Sequence, residues 1–152
     1  MKKFTLITTL TMILLLVSCS STPDTKTDLL AQLNAELQPL EIEGFEPDKS
    51  TLKDSVYSEW SKKNLPILKA ITGKIPGEYQ LLVTGHADPY GGIAKAEKVA
   101  KGRAEEIRKR LGKDGIDVSK IGVKSYGTAE YEAEKGQSVS KNRRVEFEVI
   151  KK

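Results

Sequence analysis

Apolar residues recur every three to four positions in three parts of the chain, which predicts helices there. A short helix begins near Thr27, a residue type that caps helix N-termini, and ends at Pro39. A second helical region, residues 52–75, contains Pro66, so we expect it to be kinked or divided into two helices. A long helix is predicted for Ile93–Leu111, where a stripe of mostly small apolar residues would allow close approach to a sheet.

Four shorter segments have patterns that are typical of strands. Residues 40–45 and 143–150 alternate apolar and polar positions, 79–85 is apolar almost throughout, and 121–127 is a short strand-like segment. The order is strand, helix, strand, helix, strand, loop, strand. It predicts an α+β fold, an α/β sandwich in which a small four-stranded mixed sheet has helices packed on one side (βαβαββ). A length of 152 residues allows one modest domain of this kind.

The N-terminus has the pattern of an export signal. Lys2 and Lys3 precede an apolar run, residues 6–17, which is short for a membrane span. The run leads to Leu-Val-Ser-Cys, and Cys19, the only cysteine, resembles the lipidated cysteine of a bacterial lipobox. A free cysteine near an ordinary cleavage site is the alternative. The expected division is a lipoprotein signal peptide at 1–18, a lipidated N-terminus and polar tether at 19–39, and a domain at 40–152. The helix inside the tether either packs on the domain or only extends the spacer.

The charge balance excludes some classes of partner. The formal net charge of +4 includes Lys2 and Lys3, so removal of the signal leaves about +2. A basic excess this small, on an exported chain, gives no reason to expect nucleic-acid binding. A single cysteine also excludes an internal disulfide. We expect no cofactor, and no metal site, because the only histidine, His86, has no further His or Cys partners.

Four motifs follow one another in the second half of the chain: GHADPYGG at 85–92, GRAEEIRKRL at 102–111, GIDVSKIGVKSYG at 115–127 and NRRVEF at 142–147. Their order and spacing resemble those of the OmpA-like C-terminal domain family, and the resemblance covers about residues 40–150. It implies an OmpA-C-like fold that binds peptidoglycan non-covalently through the stem peptide, typically at the free amino-acid end of diaminopimelate. Together with Cys19, the layout most resembles the Pal-like lipoproteins of this family.

The resemblance implies that Asp88 and Arg103 form the peptidoglycan-binding pair. A carboxylate and a guanidinium at matching separation can bind the ammonium and the carboxylate of one zwitterion. Asp48 and Tyr90 align with positions that line the pocket in the family. His86, at a strand end, is expected to shape the loop by packing and hydrogen bonding. The stretch Asn142-Arg143-Arg144, within NRRVEF, is interpreted as chiefly structural in the family, or as an electrostatic rim for the glycan polymer.

Three positions depart from the family pattern. Ala87 replaces the Thr of GHTD, and Ala96 and Ala100 replace the Asn and Ser of the helix motif NxxLSxxRA. These replacements remove polar groups that would support the site, but they leave the proposed Asp and Arg in place.

The expected function is therefore that of a non-catalytic outer-membrane lipoprotein whose periplasmic domain binds the cell wall and tethers the membrane to it. One alternative is an envelope adaptor that binds another protein, with Tyr126 and Tyr131 on the surface concerned. A less favoured alternative is a cell-wall hydrolase using His86 with Asp88, since the sequence contains no second histidine and no paired-carboxylate motif. The sequence leaves open whether the stem peptide carries diaminopimelate, lysine or ornithine.

Overall fold

The computed structural model of the protein describes residues 25–88, 92–127 and 140–152. These residues form three α-helices, three strands and three short 3-10 turns. The helices are α1 (Thr25–Leu37), α2 (Asp54–Lys74) and α3 (Ile93–Lys113), and the strands are β1 (Tyr79–His86), β2 (Ile121–Gly127) and β3 (Val145–Lys151). The 3-10 turns are Gln38–Leu40, Val118–Lys120 and Ser140–Asn142.

The three strands form one mixed sheet in the order β2-β1-β3. β1 and β2 are parallel, with Val83 opposite Val123, and α3 makes the crossover between them. β1 and β3 are antiparallel, with Val83 opposite Phe147 and Gly85 opposite Val145. The C-terminal end of β1 therefore lies beside the beginning of β3. The predicted α+β fold and mixed sheet are confirmed.

The prediction of a strand at residues 40–45 is wrong. The described residues form three strands rather than four, and this segment contributes only an isolated bridge, in which the backbones of Ile42 and Val145 exchange two hydrogen bonds of 2.9 Å. The physical reason lies at Gly44, whose φ of +93° turns the chain out of the extended conformation. The apolar residues of the segment are nevertheless buried, so the alternation indicated a core-facing segment that does not continue the sheet.

One face of the sheet carries the main core. Leu81, Val83, Phe147 and Val149 lie in a cluster to which all three helices contribute, as the prediction of helices on one side requires. The helix inside the predicted tether belongs to this cluster through buried leucines, so of the two alternatives left open for it, packing on the domain is the one observed. Its Asn34 also pairs with the backbone of Val149, accepting from N–H at 2.6 Å and donating to C=O at 3.2 Å. This contact covers part of the β3 edge.

A single helix continues through Pro66, so the two-helix alternative for residues 52–75 is wrong. Proline removes one backbone N–H and so leaves the carbonyl of Lys62 without its helical donor. Pro66 and Lys62 are both exposed, which allows water to hydrate that carbonyl. The buried face of the helix, with Leu68 and Ile71, supplies the packing that holds the two halves together.

Candidate ligand-binding site

The close contact between α3 and β1 determines where the site lies. A Cβ built on Gly85 would lie 1.9 Å from the backbone oxygen of Ala100, so only glycine allows this approach. Ala96 and Ala100 are buried against Ala87 in a small cluster at the same level. The two alanines that replace polar family residues therefore fill the contact between helix and strand, and α3 is held where its next turn reaches the end of β1.

Arg103 lies on that next turn and is almost completely buried, at 1% exposure. Its guanidinium donates three hydrogen bonds to backbone carbonyls: Nε to Lys49 at 2.8 Å, Nη1 to His86 at 2.7 Å and Nη2 to Glu46 at 3.0 Å. It also lies over the Phe45 ring, 5.1 Å from the centroid. These bonds use three of the five N–H groups of the side chain and leave one N–H on each terminal nitrogen. Arg103 thus joins the 45–49 turn to the end of β1.

Asp88 follows β1 by two residues and is also buried. Its Oδ2 accepts a hydrogen bond from Nη1 of Arg143 at 2.9 Å, and Nε of Arg143 donates to the carbonyl of Phe45 at 2.8 Å. Among the described residues, Arg143 is therefore a hydrogen-bonded partner of Asp88. Arg103, which the sequence suggested as the other half of the pair, gives its hydrogen bonds to backbone carbonyls and acts on Asp88 through space.

Arg143 is the residue that sequence reasoning underrated. It precedes β3 by two positions, and because β3 runs antiparallel to β1, the beginning of one strand lies beside the end of the other. The antiparallel pairing of β3 with β1 is the feature that would have indicated a contact between Arg143 and Asp88. Reading NRRVEF along the chain alone gave no indication of that contact.

Burial and neighbouring charges set the electrostatics of the site. Burial lowers the pKa of Arg103 to about 10. The carboxylates of Asp88 and Asp48 act in the opposite direction and raise this pKa, whereas the positive charge of Arg143 lowers it further. Arg103 remains a cation at neutral pH. Among the described residues, this part of the site thus contains the guanidinium groups of Arg103 and Arg143 and the carboxylate of Asp88.

Asp48 lies at the exposed side of the same cluster. Its φ of +56° is in the left-handed region, which is uncommon for residues other than glycine but is tolerated by Asp and Asn. Its Oδ2 is 2.7 Å from Nζ of Lys95, in the first turn of α3. The two side chains are partly exposed, at 31% and 48% respectively. The structure thus brings Asp48, Asp88 and Arg103 together, as the sequence predicted, and adds Arg143 and Lys95.

The His86 side chain takes a different direction from this cluster. Its ring stacks on Tyr126, with centroids 5.6 Å apart, and its Nε2 lies 3.1 Å from Oε2 of Glu146. Contact with His86, together with Arg144, lowers the pKa of Glu146 to about 2 against the opposing effect of partial burial. The His86 carbonyl, by contrast, accepts from Arg103. His86 thus supports the site through its backbone, and its ring faces Glu146 rather than Asp88.

Some predicted positions lie outside the described residues: Cys19, Tyr90 and Tyr131. Within the described part of the chain, no group of three or more His, Cys, Asp or Glu residues could hold a metal ion. Among residues 25–88, 92–127 and 140–152 there is also no helix with the length and apolar character needed to span a bilayer.

The fold has relatives of known structure. The peptidoglycan-associated lipoprotein from Burkholderia pseudomallei is 20% identical with a TM-score of 0.59, over 72% of this chain and 89% of that one. The C-terminal domain of Helicobacter pylori MotB is 18% identical with a TM-score of 0.58, over 74% and 84%. An outer membrane protein from Borrelia burgdorferi is 23% identical with a TM-score of 0.54, over 71% and 82%. At these identities the likeness establishes the fold.

Sequence comparison gives the family. Outer membrane porin F from Pseudomonas fluorescens is 35% identical over 109 residues, which are 69% of this chain and 31% of the porin. The match therefore spans about a third of the length of that relative. The OmpA family matches residues 44–144, the part of the chain that carries Asp48, Asp88, Arg103 and Arg143. The chain belongs to the OmpA family.

Proposed function

We propose that this domain binds peptidoglycan non-covalently, by holding the free amino-acid end of a diamino acid in the stem peptide. The observation that carries the proposal is the cluster at the end of β1, where the guanidinium groups of Arg103 and Arg143 lie close to the carboxylate of Asp88. A guanidinium presents paired N–H donors to an anionic ligand group such as a carboxylate. Partly exposed Asp48 beside it supplies a carboxylate for a cationic group.

A free amino-acid end carries both groups within a few ångströms. Its carboxylate suits the terminal nitrogens of Arg103, each of which has one N–H beyond the three carbonyl bonds. Its ammonium suits Asp48 and Asp88. Because Arg103 is 1% exposed, the ligand reaches it only after neighbouring groups move aside. Each charge-assisted hydrogen bond contributes about 1.5–3 kcal/mol, so a few of them give weak to moderate affinity once ordering costs are subtracted.

The relatives support this proposal. One structural neighbour is a peptidoglycan-associated lipoprotein, and the sequence relative is an outer membrane porin. Both are proteins of the bacterial envelope. In this proposal Cys19 is acylated, and the lipid anchors the protein in the outer membrane with the domain facing the periplasm. Each methylene of the acyl chain that is buried in the membrane contributes about 0.8 kcal/mol to the anchoring. Many weakly bound copies then act together by multivalency. The protein is a tether and not an enzyme.

Asp48→Asn gives the clearest test of the site. Asparagine tolerates the same positive φ, so the variant removes the charge while keeping the turn. We expect this variant to lose most of its binding to purified sacculi in a pull-down, with an unchanged melting temperature. Glu43→Gln, which removes an exposed carboxylate from the same segment, is the matched control and should bind as the wild type does. Equal binding by Asp48→Asn and the control would remove Asp48 from the site.

Competition identifies the ligand group. Free diaminopimelate should displace the protein from diaminopimelate-containing sacculi, whereas ornithine and lysine whose α-amino and α-carboxyl groups are blocked, as they are in a peptide, should displace it weakly at the same concentration. The side chains of these blocked residues end in an ammonium with no carboxylate for Arg103. Equal competition by all three would show that the carboxylate at the side-chain end is not recognised.

The membrane end needs its own test. Cells expressing the chain in the presence of labelled palmitate should incorporate label into the wild type and not into Cys19→Ser. Label retained by the Cys19→Ser variant would refute lipidation at this residue, and it would leave the wall-binding proposal untouched.

A further inference from the structure

Lys95 connects α3 to Asp48, the partly exposed carboxylate of the site. Its Nζ lies 2.7 Å from Oδ2 of Asp48, within ion-pair distance. Lys95 is in the first turn of α3, where the helix dipole disfavours a cation. The nearby carboxylate of Asp48 compensates for that unfavourable position.

We infer that Lys95 occupies, in the unliganded protein, the place on Asp48 that the ammonium of the ligand takes, and so sets the affinity and selectivity of the site. The inference rests on the proposed function, since it concerns how the same site chooses its ligand. A lysine side chain ends in the same chemical group as the ligand, a primary ammonium. In this structure it already stands where such a group is expected.

Displacement of Lys95 is physically feasible. Its side chain is 48% exposed and flexible, so it can leave Asp48 for water without disturbing the core. Ion pairs of this exposed kind are worth about 0.2–1 kcal/mol, which corresponds to a factor of up to about five in an equilibrium constant. A ligand ammonium must overcome this factor. A ligand with carboxylates but no ammonium does not compete with Lys95 and bears no such cost.

Two ligands, three single variants and the double variant of Asp48→Asn with Lys95→Gln separate these cases. The ligands are diaminopimelate and pimelate, which has the same carbon chain and carboxylates without the amino groups. Lys95→Gln removes the ion pair. Lys98→Gln is the matched control, because it removes the same charge from an exposed position one turn along α3. Asp48→Asn removes the shared acceptor. Binding is measured by NMR titration of each labelled protein.

We expect Lys95→Gln to bind diaminopimelate about two- to five-fold more tightly than the wild type, with no gain for pimelate. Lys98→Gln should bind both ligands as the wild type does. In the Asp48→Asn background, Lys95→Gln should give no gain for diaminopimelate, since no carboxylate is left to compete for. Melting temperatures should agree within about 2 °C, because exposed ion pairs contribute little to stability.

Each other outcome has a definite meaning. If the wild type binds diaminopimelate and Lys95→Gln binds it equally or more weakly, the role of Lys95 is refuted and the proposed function stands. If only Lys95→Gln binds, both proposals are supported and Lys95 is a stronger competitor than calculated. If neither protein binds diaminopimelate, the proposed function fails and the inference fails with it. A gain that Lys98→Gln shares would make the effect one of net charge and refute a specific exchange at Asp48.

Discussion

Replacing Arg103 by methionine tests whether this residue supports the fold as well as the ligand. The structure gives its guanidinium three hydrogen bonds of 2.7–3.0 Å to the carbonyls of Glu46, Lys49 and His86, together with a place over the Phe45 ring. Methionine fills part of the volume but donates no hydrogen bond. The three carbonyls then lose this donor, although that of Glu46 keeps a second one, the N–H of Lys49 at 3.2 Å. Asp88 also loses a nearby cation.

The expected loss follows from these contacts. Leaving a buried carbonyl without a partner costs about 1–3 kcal/mol, and removing one member of a buried charged cluster costs about 3–5 kcal/mol. These contributions overlap, and removal of the buried cation offsets part of them, since burial lowers the pKa of Arg103 to about 10. We therefore expect the free energy of unfolding to fall by about 3–4 kcal/mol. For a domain of this size that corresponds to a fall in melting temperature of more than about 10 °C.

Urea unfolding followed by circular dichroism measures this loss. Arg108→Met is the matched control: the same substitution on the same helix, at a side chain with one hydrogen bond to the carbonyl of Val118. It should cost about 1 kcal/mol or less. If the two variants differ by less than about 1 kcal/mol, the bracing role of Arg103 is wrong. A loss of sacculus binding by Arg103→Met could then be assigned to the ligand contact alone.

Three further outcomes follow from particular contacts. Gly85→Ala should lower the free energy of unfolding by about 3 kcal/mol in urea titrations, because its Cβ would meet the backbone of α3. Gly73→Ala, where the space around the new Cβ is open, should raise the free energy of unfolding by about 0.5–1 kcal/mol. Equal changes in the two variants would refute the close contact at Gly85. Asn34→Ala should lower the free energy of unfolding by about 1–2 kcal/mol in the same assay, because the backbone of Val149 at the edge of β3 loses two hydrogen bonds. Because contact with His86 lowers the pKa of Glu146 to about 2, this group stabilises the fold above pH 4.5 and the effect is lost as pH falls toward 2. Wild type and Glu146→Gln should therefore differ by about 1 kcal/mol at pH 6, after allowance for solvent screening, and should converge in thermal melts at pH 2.5.

The Arg103 result bears on how site variants of this protein are read. From the sequence, Arg103→Ala is expected to abolish binding with little change in melting, as for an exposed recognition residue. The structure instead buries Arg103 and connects it to three backbone segments. A loss of binding in that variant therefore combines two effects. Asp48→Asn separates them, because Asp48 is partly exposed and asparagine keeps its backbone conformation.

Most of the fold could be predicted from the sequence because its elements have strong local signals. The apolar stripe of α3 predicted a helix at 93–111, and the observed helix is Ile93–Lys113. The apolar run at 79–85 predicted β1, which is Tyr79–His86. The segment 40–45 was wrongly predicted as a strand. An alternation of apolar and polar residues indicates burial of alternate side chains, and such burial also occurs outside a sheet. Only the turn at Gly44 and the single bridge to Val145 distinguish the two.

The sequence indicated which residues lie at the site, but not which of them contact one another. The resemblance to the OmpA-like domain family implied Asp88, Arg103 and Asp48, and the structure places all three around the end of β1. It could not indicate that Arg143 holds Asp88, that backbone carbonyls hold Arg103, or that Lys95 holds Asp48. These pairs are separated by 17 to 57 residues in the chain. Their contacts depend on how strands and helix pack.

The sequence by itself determined most of the helices and strands, the family and the charged residues available to bind a ligand, since periodicity and motif order are local properties of the chain. The tertiary structure decided which charges meet. The glycine at position 85 and the small residues of α3 bring that helix against β1, and the antiparallel return of β3 brings Arg143 to Asp88. In a buried site, an ångström of packing decides whether a guanidinium bonds to a carboxylate or to a backbone carbonyl, and no local pattern encodes that distance.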